Sequence, residues 1–418
     1  MVAQLALSIA DFGLRIAEFK NHNPKLEIRN SKFEIRNYFL VPCTLFLAPS
    51  RDDSIMANDE HFHGGDPERE LKRLGLATRD VLDFSVNVSP LGVPSEIKAI
   101  WKELLAEVDR YPSVDGQGVA RYYQERFDLD PARVLAGNGS TELIYLTPRA
   151  LELRKVAVIT PSFHDYTRSS LAAGADLLEV ELKAEEEFAP PDFDILKEVM
   201  AEADGLFVGN PNNPTSTVFP RQLLLDLAAS FPSKWILVDE AFVQFLDQPE
   251  EVSLIRQEPP QENILVFHSL TKFFALPGLR LGAVVGHPDT ISRLRPLKEP
   301  WSVNRVAEKV ALELIKCADY EKRLSSLVCL ERPRVFNRIQ DISGFQPFEP
   351  AANFLLARWT LTDQLDDLLR FMLGSGVHLR DCRNFPGLQD NFFRMAIRQP
   401  EENDRVLSLM RSCSDHYL

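Results

Sequence analysis

The sequence predicts an α/β protein: a large domain with a mostly parallel sheet of the seven-stranded type between helices, then a smaller α+β domain. Three observations carry that expectation. Short apolar runs, Lys155-Val-Ala-Val-Ile-Thr160, Gly205-Leu-Phe-Val208, Trp235-Ile-Leu-Val238, Asn263-Ile-Leu-Val-Phe267 and Gly282-Ala-Val-Val-Gly286, are apolar throughout rather than alternating, as strands covered on both faces require. Between about residue 100 and 297 they alternate with helix-like stretches, an order that favours parallel pairing with right-handed crossovers. At 418 residues and 45% hydrophobic content, the chain can bury a large core and a second smaller one.

Taken in chain order, residues 1–55 stand apart. Lys25-Leu-Glu-Ile-Arg-Asn30 is nearly duplicated by Lys32-Phe-Glu-Ile-Arg-Asn37, and the apolar run Tyr38 to Ala48 that follows is interrupted by Pro42. That run is too short to span a bilayer, although basic residues ahead of it also fit the outline of a signal peptide. The expectation is a disordered, non-native extension, with Met56 as the natural start. Residues 56–100 would form an N-terminal arm contributing to the small domain and the substrate site, 101–297 the large domain, and 298–418 the small one. Leu223 to Ser230, a long stretch from Asn304 to Phe336, and Glu401 to Cys413 read as helices. No low-complexity linker separates the two domains, so they should pack tightly.

Chemistry concentrates at the ends of these strands. Ser269-Leu-Thr-Lys272 is followed eight residues later by Arg280: a lysine flanked by hydroxyls can bond covalently to an aldehyde cofactor, and the arginine can hold its phosphate. The run Trp235 to Val238 ends abruptly in Asp239, at the strand edge where open α/β sheets bind ligands. A carboxylate there can keep a pyridine nitrogen protonated, or Asp239 and Glu240 could simply open a solvated loop. Gly205-Leu-Phe-Val-Gly-Asn-Pro-Asn-Asn-Pro214 breaks into a turn whose two X-Pro steps would hold the backbone extended and aim an asparagine amide. Gly137-Asn-Gly139-Ser140-Thr141 combines a glycine turn with a helix start, an anion site or a plain capped helix. Phe163, also at a strand end, could stack on a flat ring or belong to the core.

The ordered set Gly139-Ser140, Phe163, Asn213, Asp239, Lys272, Arg280 resembles the fold-type I pyridoxal phosphate (PLP) enzymes of the aspartate aminotransferase superfamily. Within it the chain is similar to the histidinol-phosphate aminotransferase branch, and most of all to the L-threonine-O-3-phosphate decarboxylases of cobalamin biosynthesis. That closer likeness rests on His63-Gly-Gly-Asp, Leu82-Asp-Phe-Ser-Val-Asn87, Arg110-Tyr111-Pro, Pro300-Trp-Ser-Val-Asn304, Leu379-Arg380-Asp-Cys-Arg-Asn384 and Phe392-Phe-Arg394. The resemblance implies that Lys272 bonds to PLP, Asp239 partners the pyridine nitrogen, Asn213 donates to the phenolic oxygen and Phe163 stacks on the ring. It places Gly139, Ser140, Thr141, Ser269, Thr271 and Arg280 around the cofactor phosphate, with Tyr111 reaching across to the neighbouring subunit's cofactor in a homodimer with shared sites. Arg394 would fork onto the substrate α-carboxylate, assisted by Asn353. His63, Asn87, Arg380 and Asn384, in glycine- or proline-marked loops where polar side chains are more often exposed, are candidates for a substrate phosphate.

Two residues depart from the aminotransferase pattern: Phe242 stands where a tyrosine is usual, and Ser216 where a glycine is usual. Loss of that phenol removes a hydrogen bond to the cofactor oxygen worth about 1 kcal/mol, and a phenylalanine there suits the decarboxylases. The expected reaction is PLP-dependent decarboxylation of threonine phosphate; the alternative is transamination of histidinol phosphate or a related amino acid. A regulatory PLP-binding module would need a basic helix-turn-helix segment, which the N-terminal residues do not provide. The net charge of −14 argues against nucleic acid or an anionic membrane as partner, so a local basic pocket must attract anionic substrates. Five scattered cysteines without C-x-x-C spacing argue against zinc and a disulfide scaffold, and the cytoplasm is the default compartment.

Overall fold

The computed structural model describes residues 64–418; the N-terminal repeat, Met56 and His63 lie outside the described residues. Thirteen strands occur among them: β1 (Leu82–Asp83), β2 (Val134–Asn138), β3 (Lys155–Thr160), β4 (Asp176–Glu181), β5 (Gly205–Gly209), β6 (Trp235–Asp239), β7 (Ile264–Ser269), β8 (Leu281–Gly286), β9 (Phe345–Pro347), β10 (Phe354–Trp359), β11 (Val377–His378), β12 (Arg380–Asp381) and β13 (Phe392–Ala396). The central sheet has seven strands in the order β2-β8-β7-β6-β5-β3-β4. Strands β3 to β7 pair in parallel.

The sheet is mostly parallel, as expected; the exception is β8, which runs antiparallel to both β7 and β2. Between Ser269 and Leu281 the chain makes only a short helix, Leu270–Phe273, and one 3-10 turn, Pro277–Leu279. A parallel crossover needs a dozen or more residues, so the chain turns back on itself.

Both faces of this sheet are covered. Val134, Ala157, Leu206, Val208, Ile236 and Val238 belong to one buried cluster, while Leu135, Val158, Phe207, Leu237, Phe267 and Val284 belong to another. Adjacent residues on a strand point to opposite faces, so each run must be apolar throughout to serve both cores.

A third core lies under a four-stranded antiparallel sheet, β12-β13-β10-β9. Leu355, Ala357, Trp359, Phe393 and Met395 face it, packed by the helices Leu365–Gly374 and Pro400–Tyr417. The opposite face, with Phe354, Leu356 and Phe392, joins the main core. Near the start of the described chain, β1 pairs in parallel with β11, Leu82 opposite Val377. The long helical stretch expected from Asn304 to Phe336 is two helices, Arg305–Leu314 and Ala318–Gln340. Tight i+3 bonds, from Lys316 N–H to Glu313 O and Cys317 N–H to Leu314 O, close the first helix before the second begins.

Candidate active site

The ends of β2, β3, β5, β6 and β7 open onto one cavity of about 330 Å³, whose wall is completed by the segment after β1 and by Arg380 and Arg394 of β12 and β13. This is the carboxyl edge of the parallel sheet, where successive strands deliver side chains to a common point.

Lys272 sits in the short helix that follows β7, and its backbone carbonyl accepts the Ser89 N–H at 2.9 Å. The segment after β1 thus fixes the lysine's backbone. Burial, then the positive charges of Arg280 and Arg394, push the Lys272 ammonium down to about 8, against the opposing pull of Asp239. Burial raises Asp239 to about 6, while the Tyr166 hydroxyl, the Ala241 N–H and the charge of Lys272 oppose the rise. The Tyr166 hydroxyl donates to one Asp239 oxygen at 2.8 Å and the Ala241 N–H to the other at 3.0 Å. An otherwise apolar strand end thereby holds a carboxylate with both oxygens engaged.

The corner expected to bind an anion is built on Gly139, whose φ of +77° precedes the helix Ser140–Ala150. A Cβ there would meet Arg280 Nη2 at 2.6 Å, and the Gly139 N–H donates to the Arg280 carbonyl at 2.9 Å. Glycine thus lets the guanidinium lie against the first turn of the helix, where N–H groups lack intrahelical partners. The Ser269 and Thr271 hydroxyls, 2.8 Å apart, line the same corner with Ser140 and Thr141.

Arg394 projects from β13 on the face shared with Phe392, its guanidinium 5.5 Å from the centre of the Phe354 ring. It donates to Ser85 O at 2.7 Å and to Asn213 Oδ1. Arg380 of β12 lies directly opposite Arg394 in the antiparallel register, and both are buried. Burial lowers Arg394 to about 10, with Arg380 among the charges that contribute. Like charges directly across a sheet repel, so the pair marks a place prepared for anions.

Of the residues singled out from sequence, Gly139, Ser140, Thr141, Phe163, Asn213, Asp239, Ser269, Thr271, Lys272, Arg280, Asn87, Arg380 and Arg394 line the cavity. Tyr111, Asn353 and Asn384 do not. Tyr111 is 83% exposed and packs on Trp301, ring centres 5.7 Å apart. Asn353 is fully buried beside β10, and Asn384 Oδ1 accepts from Arg380 Nη2 at 2.9 Å, a bracing contact.

Three expectations are corrected. Asn87 and Arg380, chosen as exposed loop residues, are buried, and Arg380 lies on a strand. The Asn-Pro segment is not extended: Asn210–Pro211 and Asn213–Pro214 are both cis, and the loop folds back through Asn212 N–H to Thr217 O at 2.8 Å. Its polar side chains close the turn, with Asn212 Nδ2 donating to Pro161 O and to Thr215 Oγ1. Phe163 both lines the cavity and packs edge-on against Tyr166, so the two readings of it are compatible. Tyr166, His164, Ser85 and Phe385 were missed. Nothing local distinguishes Tyr166, because its hydroxyl meets Asp239 only through the side-by-side placement of β3, β5 and β6.

The residues present fit PLP. The corner around Gly139 supplies donors for a phosphate, and the buried carboxylate of Asp239 and the lowered-pKa Lys272 line the same cavity. Both amide atoms of Asn87 and Arg394 Nε are buried without a partner among the described residues, as expected of groups waiting for a ligand.

Residues 79–409 match the model of the family "Aminotransferase class I and II". The chain belongs to that family. It is 32% identical over 364 residues to the threonine-phosphate decarboxylase of Salmonella typhimurium, covering 85% of this chain and 98% of that protein. The crystal structure of the histidinol-phosphate aminotransferase from Clostridium acetobutylicum superposes with a TM-score of 0.74 at 26% identity, covering 80% of this chain and all (100%) of that one. A histidinol-phosphate aminotransferase from Sinorhizobium meliloti, solved in complex with pyridoxal-5'-phosphate, superposes with a TM-score of 0.75 over 89% of this chain and 100% of its own. At 17% identity this last likeness speaks for the fold alone.

Proposed function

We propose that the protein is a PLP-dependent decarboxylase that converts L-threonine O-3-phosphate to (R)-1-aminopropan-2-yl phosphate, a step serving cobalamin biosynthesis. The observation that carries this reading is the pair Arg380 and Arg394, buried side by side in one cavity with Lys272. One arginine suits an α-carboxylate; a second, directly opposite, suits the phosphate of the same small molecule. Relatives of both the decarboxylase and the aminotransferase kind share the fold, and Phe242 favours the former. Its ring packs edge-on against Phe354 at 4.9 Å and offers the cavity no hydroxyl.

In this reading Ser140, Thr141, Ser269, Thr271 and Arg280 hold the cofactor phosphate, Phe163 covers the ring, and Asn213 and Asp239 take its polar edges. When bound, PLP supplies an electron sink for whichever Cα bond stands perpendicular to its ring. Arg394 fixes the carboxylate and thereby selects which bond that is. Phe163, Phe242 and Phe385 keep water from the reacting carbon. Lys272, near 8 in its protonation, is poised to hold and return a proton at pH 7 to 8, placing hydrogen on Cα where CO2 has left.

The same proposal covers assembly and organisation. Trp101, Leu105 and Val108 follow one another at helical spacing, and with Tyr111, Val114 and Trp301 they expose large apolar side chains. Trp301 N–H donates to Val114 O at 3.0 Å and its ring packs on Tyr111, which joins these three. Patches of this kind mark protein interfaces, and we assign this one to a homodimer in which Tyr111 reaches the partner's cofactor phosphate. We assign 101–297 to the large domain, 298–418 to the small one, and the described part, 64–100, of the arm expected from residue 56 to the small domain and substrate site. None of the described helices is long and apolar enough to cross a membrane, and we place the enzyme in the cytoplasm.

Incubation of purified protein and PLP with O-phospho-L-threonine, assaying CO2 and aminopropanol phosphate, tests the reading. Stoichiometric release of both is expected. Robust transamination of histidinol phosphate with 2-oxoglutarate and no CO2 would overturn it.

A further inference from the structure

Ser216 adopts a φ of +64°, a left-handed conformation that L residues avoid because Cβ crowds the neighbouring carbonyl. Its side chain is buried, and its hydroxyl oxygen accepts two backbone hydrogen bonds, from Ala351 N–H at 2.9 Å and Ala352 N–H at 3.0 Å. We propose that Ser216 is a positioning residue: it locks the loop presenting Asn213 to the segment entering β10, and so fixes the carboxylate-binding Arg394. The inference rests on the reading of the cavity given above.

The contacts form a closed circuit. On one side, Ser216 N–H donates to Asn212 O at 2.7 Å, fixing the loop that carries Asn213. On the other, Ala351 O accepts from Arg332 Nη1 at 2.7 Å, and Asn353 O accepts from Ile397 N–H at 2.7 Å. Ile397 follows directly on β13, the strand of Arg394, and Arg394 donates back to Asn213 Oδ1. Asn213 and Arg394 both line the cavity. A glycine at 216 would adopt the same backbone more easily but would cut the circuit at the two hydroxyl bonds, leaving two N–H groups in the interior without their acceptor.

Holoenzyme variants Ser216→Gly and Ser216→Cys test this, the second keeping the volume but weakening the acceptor. The first readout is the dissociation constant of 3-phosphoglycerate, a phosphorylated carboxylate with no amine to react, followed by its perturbation of the cofactor absorbance. The second is KM and kcat for O-phospho-L-threonine, alongside bound PLP per chain. We expect the dissociation constant and KM to rise roughly tenfold for Ser216→Gly and less for Ser216→Cys. Bound PLP should stay unchanged, while kcat should fall as well, because Arg394 also selects the bond that breaks. Variants that bind 3-phosphoglycerate as the parent does, or that lose PLP in proportion, overturn the positioning role; if Ser216→Gly does not fold, Ser216→Cys decides. A parent showing no saturable response to 3-phosphoglycerate sinks the cavity reading and this inference with it, whereas a responding parent with unchanged variants sinks the inference alone.

Discussion

Lys272 and Asp239 show how far individual residues could be read from their neighbours in the chain. Each follows an apolar run that had to be a buried strand, so each had to appear at the sheet's carboxyl edge, and both line the cavity. Tyr166 could not be found that way, because its partner Asp239 is brought to it by strand order alone. Arg380 was chosen for exposure, yet it is the buried counterpart of Arg394 across β12 and β13; its value lies in a cross-strand register that no motif announces. The displaced titration of Lys272 has a direct consequence. With the ammonium at about 8 instead of the ordinary 10.5, the neutral amine that attacks an aldehyde is a minor species below pH 8 and the main one above it. Uptake of PLP by the apoprotein should therefore accelerate about tenfold per unit of pH below 8 and level off above. Stopped-flow absorbance across pH 6 to 10 checks this; a rate still climbing beyond pH 9.5 would contradict the lowered value.

The strands themselves were legible because burial on two faces leaves a plain signature: Lys155–Thr160 ends where the apolar run ends, and the other four predicted runs fall within two residues of β5 to β8. The direction of β8 was not, although the eleven residues between it and β7 leave no room for a crossover helix. Turning back brings Gly282 beside the start of the helix Ser140–Ala150. A Cβ there would meet Ser140 N at 2.4 Å and Gly139 C at 2.8 Å, backbone atoms that cannot swing aside. Gly282→Ala should therefore displace the phosphate corner, weakening PLP binding by at least tenfold and lowering the melting temperature by several degrees. Fluorescence titration with PLP and a thermal melt measure the two effects, and an alanine variant matching the parent in both would refute the close approach.

For the molecule as a whole, the apolar patch from Trp101 to Trp301 belongs to no internal core. Leu105 is 76% exposed, so replacing it costs the isolated chain little, whereas a charge at the centre of a dimer contact is expensive. On the proposed dimer, in which Tyr111 completes the partner's site, Leu105→Glu should sediment as a monomer, keep its circular dichroism spectrum and lose most of its activity. Analytical ultracentrifugation and the CO2 assay test this together; a variant that stays dimeric places the interface elsewhere. The pairing of β1 with β11 sets a further condition on the molecule, this time in the order of its synthesis. Leu82 and Asp83 are made nearly three hundred residues before their partners Val377 and His378. Ser85 and Asn87, which line the cavity, must wait with them. A chain that stops after β8 carries every strand of the seven-stranded sheet and Lys272, but it lacks Arg380 and Arg394 and so has no complete substrate pocket. Premature termination between β8 and β13 should thus yield a chain that carries Lys272 but lacks Arg394, and so cannot turn over substrate.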